Sequence, residues 1–210
     1  MQRMGVVITV AQQKGGAGKT TLVAHLAVAW AGMGKRVAVL DIDPQASLSA
    51  WAEQRGARNG LDVSRIAGWR TQAEVERRSR LHDIVLVDSP PHAETEARIA
   101  VRAASLVIVP VQPSPMDVWA TKPTLELARA EKVPALLVLN RVPPRARLTE
   151  AMLERLGMLG VPVAATRVGN RVALATALFE GRGITETAPA SAAGEEIRSL
   201  AAEILAFVKH

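Results

Sequence analysis

Cysteine is absent from this 210-residue sequence. That one absence removes disulfides, thiolate metal sites, iron–sulfur clusters and cysteine nucleophiles together. Aromatic residues make up only 3% of the chain, and Trp30, Trp51, Trp69 and Trp119 stand apart from one another. They form no base-stacking array and read as core or rim side chains. The four histidines, His25, His82, His92 and His210, lack metal-ligand spacing. No apolar run reaches the length that spans a bilayer, and the opening MQRMGVVITVAQQ has too short an apolar run for a signal peptide. A soluble cytoplasmic protein is expected.

What is present describes a compact α/β protein. Hydrophobic residues are 49% and charged residues 22% of the sequence, which suits one globular domain over residues 1–210. The formal charge is +6 and the isoelectric point near 10.5, a balance that favours an acidic partner such as nucleic acid or an anionic membrane surface. Apolar, β-branched runs recur at 6–10, 36–40, 83–87, 106–111, 135–140 and 161–166 and read as buried parallel strands. A weaker strand at 61–66 reads as an edge. Helical patterns fill the segments near 20–33, 46–55, 71–79, 93–103, 117–131, 148–158, 170–180 and 192–208. Alternation of this kind predicts a doubly wound, mostly parallel sheet with helices on both faces.

The most informative stretch is QQKGGAGKTT, residues 12–21. The phosphate-loop pattern G-x-x-x-x-G-K-[ST] would place glycine at position 13; this chain has Gln13 there, followed by an additional lysine, Lys14. The loop lies between strand VVITV and a helical run, the context in which glycine-freed backbone N–H groups and a helix N-terminus surround phosphates. Lys14, Gly15, Gly16, Ala17, Gly18, Lys19, Thr20 and Thr21 are therefore the expected phosphate-binding stretch. Lys19 neutralises phosphate charge and Thr20 holds magnesium.

Two further carboxylate sites fall at the carboxyl ends of neighbouring strands, where ligands of such sheets bind. Asp88 closes DIVLVDSPP and fits a magnesium-positioning aspartate. Asp41 and Asp43 end the second strand in VLDIDPQ, and either could orient an attacking water, although strand-end aspartates also serve as turn formers.

KGGAGKTT, VLDIDPQ, LVDSPP and PVQPSPMD, four motifs in order, resemble the ParA/MinD group of deviant Walker ATPases, and over the whole chain the small ParF-like partition ATPases in particular. The resemblance implies a P-loop ATPase of the deviant Walker A type. In it Lys14 reaches the partner subunit's phosphates in an ATP-dependent homodimer, and Asp43 orients the water and belongs with Thr20 and Asp88 to the magnesium site. Asp41 is then a supporting group, and adenine contacts come from Asn140, Arg141 and the PVQPSP loop. Lys14, Lys19 and Asp43 are the implied catalytic residues.

The same resemblance implies non-specific DNA binding on the nucleoid and an adaptor or centromere-binding protein that stimulates hydrolysis. Between 141 and 182 seven arginines face three glutamates, a surplus of four positive charges, from which Arg145, Arg147, Arg167 and Arg171 are the candidate DNA contacts. A solvated basic face is the bland alternative. Two other functions belong to the same superfamily: a membrane-surface ATPase like MinD, and a metabolic ATP-dependent enzyme. Against the first, the closing segment EEIRSLAAEILAFVKH is too acidic for a membrane-targeting helix and is expected to pack on the domain.

Overall fold

The computed structural model describes residues 4–57, 60–91, 94–144 and 147–209. Its strands are β1 (Val6–Val10), β2 (Val37–Asp41), β3 (Asp62–Arg65), β4 (Ile84–Asp88), β5 (Leu106–Val111) and β6 (Ala135–Leu139). They form one sheet in the order β3-β2-β4-β1-β5-β6, every neighbouring pair parallel. β1 is thus flanked by β4 and β5, and β3 lies at an edge.

The described helices are α1 (Lys19–Gly32), α2 (Ser47–Arg55), α3 (Thr71–Ser79), α4 (Glu94–Arg102), α5 (Pro115–Ala130), α6 (Arg147–Gly157), α7 (Val172–Phe179), α8 (Ile184–Thr187) and α9 (Ala192–Phe207). Alternate strand residues divide the core between two faces, as a period of two requires. Ile8, Val10, Val39, Leu86 and Ile108 pack with α1, α7, α8 and α9. On the other face Val107, Val109 and Leu139 pack with α5 and α6, and Val7, Leu40, Val85 and Val87 with α3 and α4.

Helix α1 is apolar nearly all round because it is covered on all sides: Leu22 through Trp30 are buried. Trp30 Nε1 donates to the Ala201 carbonyl at 2.9 Å, and His25 links α1 to the Leu174 carbonyl and the Ile184 amide. Helix α9 buries Ile197, Leu200, Ala201 and Ile204 in this layer, so its apolar stripe is occupied by the domain. Among the described residues no helix is long and apolar enough to cross a membrane.

One strand expectation fails. Residues 161–166 make only an isolated bridge, Val163 to Leu137, beside β6. Pro162 has no N–H to give a ladder. Ala164 N reaches the Leu137 carbonyl, but Thr166 N, which would take the Leu139 carbonyl in a regular strand, is drawn with Ala165 N onto the Glu203 carboxylate. Val168 N takes Leu139 two residues late. Helix α8 is a single turn, too short to show a period in the sequence. Helix α5 begins two residues before its expected start, where Ser114 caps it and Pro115 opens it.

Candidate functional site

The loop joining β1 to α1 lies at the carboxyl edge of the sheet. Gly18 is its hinge, with φ +89° at the N-cap of α1, and a Cβ there would meet Asn140 Nδ2 at 2.4 Å. Only glycine fits both demands. Asn140, at the end of β6, donates to the Ala17 carbonyl at 2.9 Å, and Gln112 donates to the Gly16 carbonyl at 3.0 Å. No atom lies within 4 Å of where side chains would stand on Gly15 and Gly16. The loop is therefore fixed from below and open above.

Lys19 is buried, and its Nζ donates to the Gln12 carbonyl at 3.0 Å. Burial lowers its pKa, opposed by the charges of Asp88 and Asp43. Thr20 Oγ1 donates to Asp88 Oδ2 at 2.7 Å. Asp88 is fully buried and its Oδ1 has no partner among the described residues. Burial pushes its carboxyl up to about 7, against the Thr20 hydrogen bond and with the neighbouring charge of Asp41.

Asp41 ends β2 but turns away from this role. Its Oδ1 accepts from Asp43 N at 3.1 Å, and its Oδ2 accepts from Ser49 N at 2.8 Å and Ser49 Oγ at 2.6 Å. Its carboxylate holds the turn between β2 and α2. Asp43 is half-buried and lines the cleft; its carboxylate Oδ1 accepts from Gln45 N at 2.9 Å and its carbonyl from Ala46 N at 2.9 Å. The cleft has a volume of ≈ 890 Å³ and brings Gly15, Gly16, Gly18, Lys19, Thr20, Thr21, Asp43 and Arg141 together. Asn140 is buried beneath the loop instead, with its amide engaged to Ala17 and its Oδ1 accepting from Arg141 N.

The additional lysine does not point at this cleft. Lys14 Nζ bonds Asp117 Oδ2 at 2.6 Å. Asp117, in the first turn of α5, is the last residue of the PVQPSPMD motif, and no role is expected of it from the sequence. Its signal is present in S-P-M-D, the spacing by which a helix N-terminus caps itself, and Ser114 does accept from Asp117 N.

The candidate DNA arginines divide. Arg167 pairs with Glu150 at 2.7 Å and Arg171 is forked onto Glu196 at 2.5 Å. Arg145 lies outside the described residues, and for Arg147 the backbone alone is described. Arg141, Arg155 and Arg182 are exposed and have no acidic partner among the described residues.

A phosphate loop with Thr20 of α1 bonded to Asp88 at the end of β4, on a parallel doubly wound sheet, defines a P-loop nucleotide-binding protein. The chain belongs to the ParA/MinD family of ATPases: residues 8–184 match the CobQ/CobB/MinD/ParA nucleotide binding domain. It is similar to the Maintenance of carboxysome distribution protein A of Halothiobacillus neapolitanus, 31% identical over 207 residues that cover 94% of this chain and 95% of the relative. It is also similar to the Chromosome-partitioning ATPase Soj of Thermus thermophilus, 31% identical over 242 residues and 96% of each chain. In fold it matches the septum site-determining protein MinD of Pyrococcus horikoshii, solved with Mg-ADP, with a TM-score of 0.81 at 23% identity over 99% of each chain.

The residues of this chain fit a magnesium ion. An orphaned, fully buried carboxylate oxygen beside a hydroxyl, under a loop open to phosphate, is an oxygen donor set of the kind that ion takes.

Proposed function

We propose that this protein hydrolyses ATP as a sandwich homodimer, binds DNA without sequence preference while ATP-loaded, and positions a cargo through a partner that stimulates hydrolysis. The observation that carries the reading is the loop with two lysines in different places: Lys19 under the cleft and Lys14 beside it, at the surface of its own subunit. One serves the nucleotide bound in cis. The other is free to serve a nucleotide only by moving outward, toward a second copy.

In this scheme the backbone of 15–19 cradles the phosphates, and Lys19 exchanges the Gln12 carbonyl for phosphate oxygen. Thr20, Asp88 and Asp43 would hold a magnesium ion, which when bound would supply neutralisation of the phosphate charge. Asp43, with one carboxylate oxygen unbonded and its side chain on the cleft, orients the attacking water. Lys14 of the partner stabilises the charge that develops on the phosphoryl group, as an arginine finger does in trans. Arg141 borders the cleft and joins the adenine contacts with the 110–115 loop.

DNA binding rests on the unpaired cations of the 141–182 region, Arg141, Arg155 and Arg182, with Arg145 and Arg147 near them in sequence; Arg167 and Arg171 enter only by exchanging Glu150 and Glu196 for phosphate. The names of the relatives support positioning of a large cargo, a plasmid, a chromosome or a protein complex. Burial of the apolar face of α9 favours DNA over a membrane surface as the track. The protein acts in the cytoplasm, on the nucleoid.

The test is Asp43→Ala with ATP and magnesium, beside Lys19→Ala. Asp43→Ala is expected to bind ATP, to stop hydrolysing it, and to persist as a dimer retained on DNA by size exclusion and DNA pull-down. Lys19→Ala is expected to remain a DNA-free monomer. A monomeric Asp43→Ala protein that still holds ATP overturns the assignment of Asp43 to the chemistry, and DNA-free dimers overturn the DNA track.

A further inference from the structure

The ion pair between Lys14 and Asp117 joins very unequal partners. The lysine side chain is 37% exposed and the carboxylate only 5%. Lys14 is already partly hydrated, so for the lysine itself a move to water or to another anion loses little solvation. Asp117 cannot follow. What remains around it is the Ser114 hydroxyl, which donates to the same Oδ2 that Lys14 occupies. A buried carboxylate stripped of its cation is among the most unfavourable changes a folded protein makes.

Asp117 is also tied to the phosphate loop. Its carbonyl accepts from Thr121 Oγ1 at 2.8 Å, and Thr121 in turn accepts from the Gln12 amide at 3.3 Å. Thr124, one turn further, donates to Gln12 Oε1 at 3.4 Å. Asp117, Thr121 and Thr124 follow helical spacing along one face of α5, so Lys14 and Gln12 dock on the same ladder. Gln12 gives its carbonyl to Lys19. The two lysines of the loop are therefore held through one helix.

We propose that Asp117 is the positioning residue for Lys14: it holds the lysine in cis in the monomer and so sets how much ATP is needed before two subunits close. The inference rests on the trans role of Lys14 proposed above. Dimerisation must exchange the Asp117 ion pair for a phosphate across the interface, so the free energy of the pair that breaks offsets part of the free energy of the pair that forms. Neutralising Asp117 removes that opposition. Asparagine retains the backbone N–H that bonds Ser114 Oγ and an oxygen to accept from the hydroxyl, so the cap of α5 is kept.

The experiment is sedimentation velocity against ATP concentration, with magnesium, for wild type, Asp117→Asn, Lys14→Ala and the double variant. Asp117→Asn is expected to reach half dimer at about tenfold lower ATP than wild type. Asp117→Ala, run as the second variant, shifts in the same direction. The double variant is expected to match Lys14→Ala alone, because Asp117 acts only through that lysine. An unchanged or raised ATP requirement in Asp117→Asn, with Lys14→Ala impaired, overturns the holding role and leaves Asp117 as part of a helix cap. A further shift in the double variant beyond Lys14→Ala also overturns it. If Lys14→Ala dimerises and hydrolyses as wild type, the trans role itself has failed and this inference fails with it.

Discussion

Asp41 and Asp88 stand side by side, paired in register at the ends of adjacent strands β2 and β4. Both are buried, 0% and 1% exposed. Asp41 receives three hydrogen bonds, one from Asp43 N in the turn that follows it and two from Ser49 in the first turn of α2. Asp88 receives one, from Thr20, and keeps an oxygen without a partner. The first carboxylate is committed to the fold and the second is held ready for a ligand. Burial is equal, so exposure alone separates nothing here; the difference lies in which groups bond the oxygens.

Four measurements bear on this contrast. The largest effect falls on turnover: Asp88→Asn weakens the hold on magnesium, and ATP hydrolysis in magnesium is expected to fall by about a thousandfold. If hydrolysis survives, Asp88 is as structural as its neighbour. Next, Asp41→Ala strands the amides of Asp43 and Ser49, and urea denaturation is expected to show a loss of about 3 kcal/mol. An unchanged unfolding midpoint would erase the distinction from the other side.

The third concerns pH. The folded Asp88 carboxyl keeps its proton up to about 7, whereas the unfolded one releases it near 3.8. Between those values the folded state binds more protons, so this group makes the nucleotide-free protein less stable as pH rises through the window. Asp88→Asn is expected to be more stable than wild type by about 2 kcal/mol at pH 8 without nucleotide, the gap closing toward pH 4. Parallel curves across that range would show Asp88 to be already neutralised by its neighbours. The smallest effect is expected at Asp43, half-buried with one bond from Gln45 N. Asp43→Ala is expected to change stability by about 0.5 kcal/mol, which a matched urea series resolves against Asp41→Ala.

Much of the fold is legible in the sequence because parallel strands covered on both faces are written as unbroken apolar runs. The phosphate loop is legible from glycine spacing between a strand and a helix, and β3 from its mixed polarity at an edge. Residues 161–166 have the composition of a strand and do not form one, because Glu203, far along the chain on α9, takes the amides a strand would need. The bonding of Asp41 is hidden for the same reason, since a strand-end aspartate does not announce which amides will fold back onto it. The arginine surplus looks free in sequence because the acids that pair with Arg167 and Arg171 lie 17 and 25 residues away. Asp117 carries a signal for the helix start and none for the lysine it meets.

The strand order has a consequence for the growing chain. β1, which carries the phosphate loop, begins the described sequence, yet its hydrogen-bonding neighbours are β4 and β5: Val6 faces Ile84 and Ile8 faces Leu106. During synthesis the first strand must wait while β2, β3 and three helices emerge before either flank exists. Long-range parallel pairing of this kind folds slowly, since the entropy of closing the intervening chain precedes the interactions that offset it. Asp88 arrives with β4 itself, and Asn140, which stands beneath the loop, later still. A complete phosphate loop therefore forms only after the chain has passed β6; until β4 is made the apolar first strand is unpaired, and until β5 is made it remains an open edge, the kind of surface on which partly made chains aggregate.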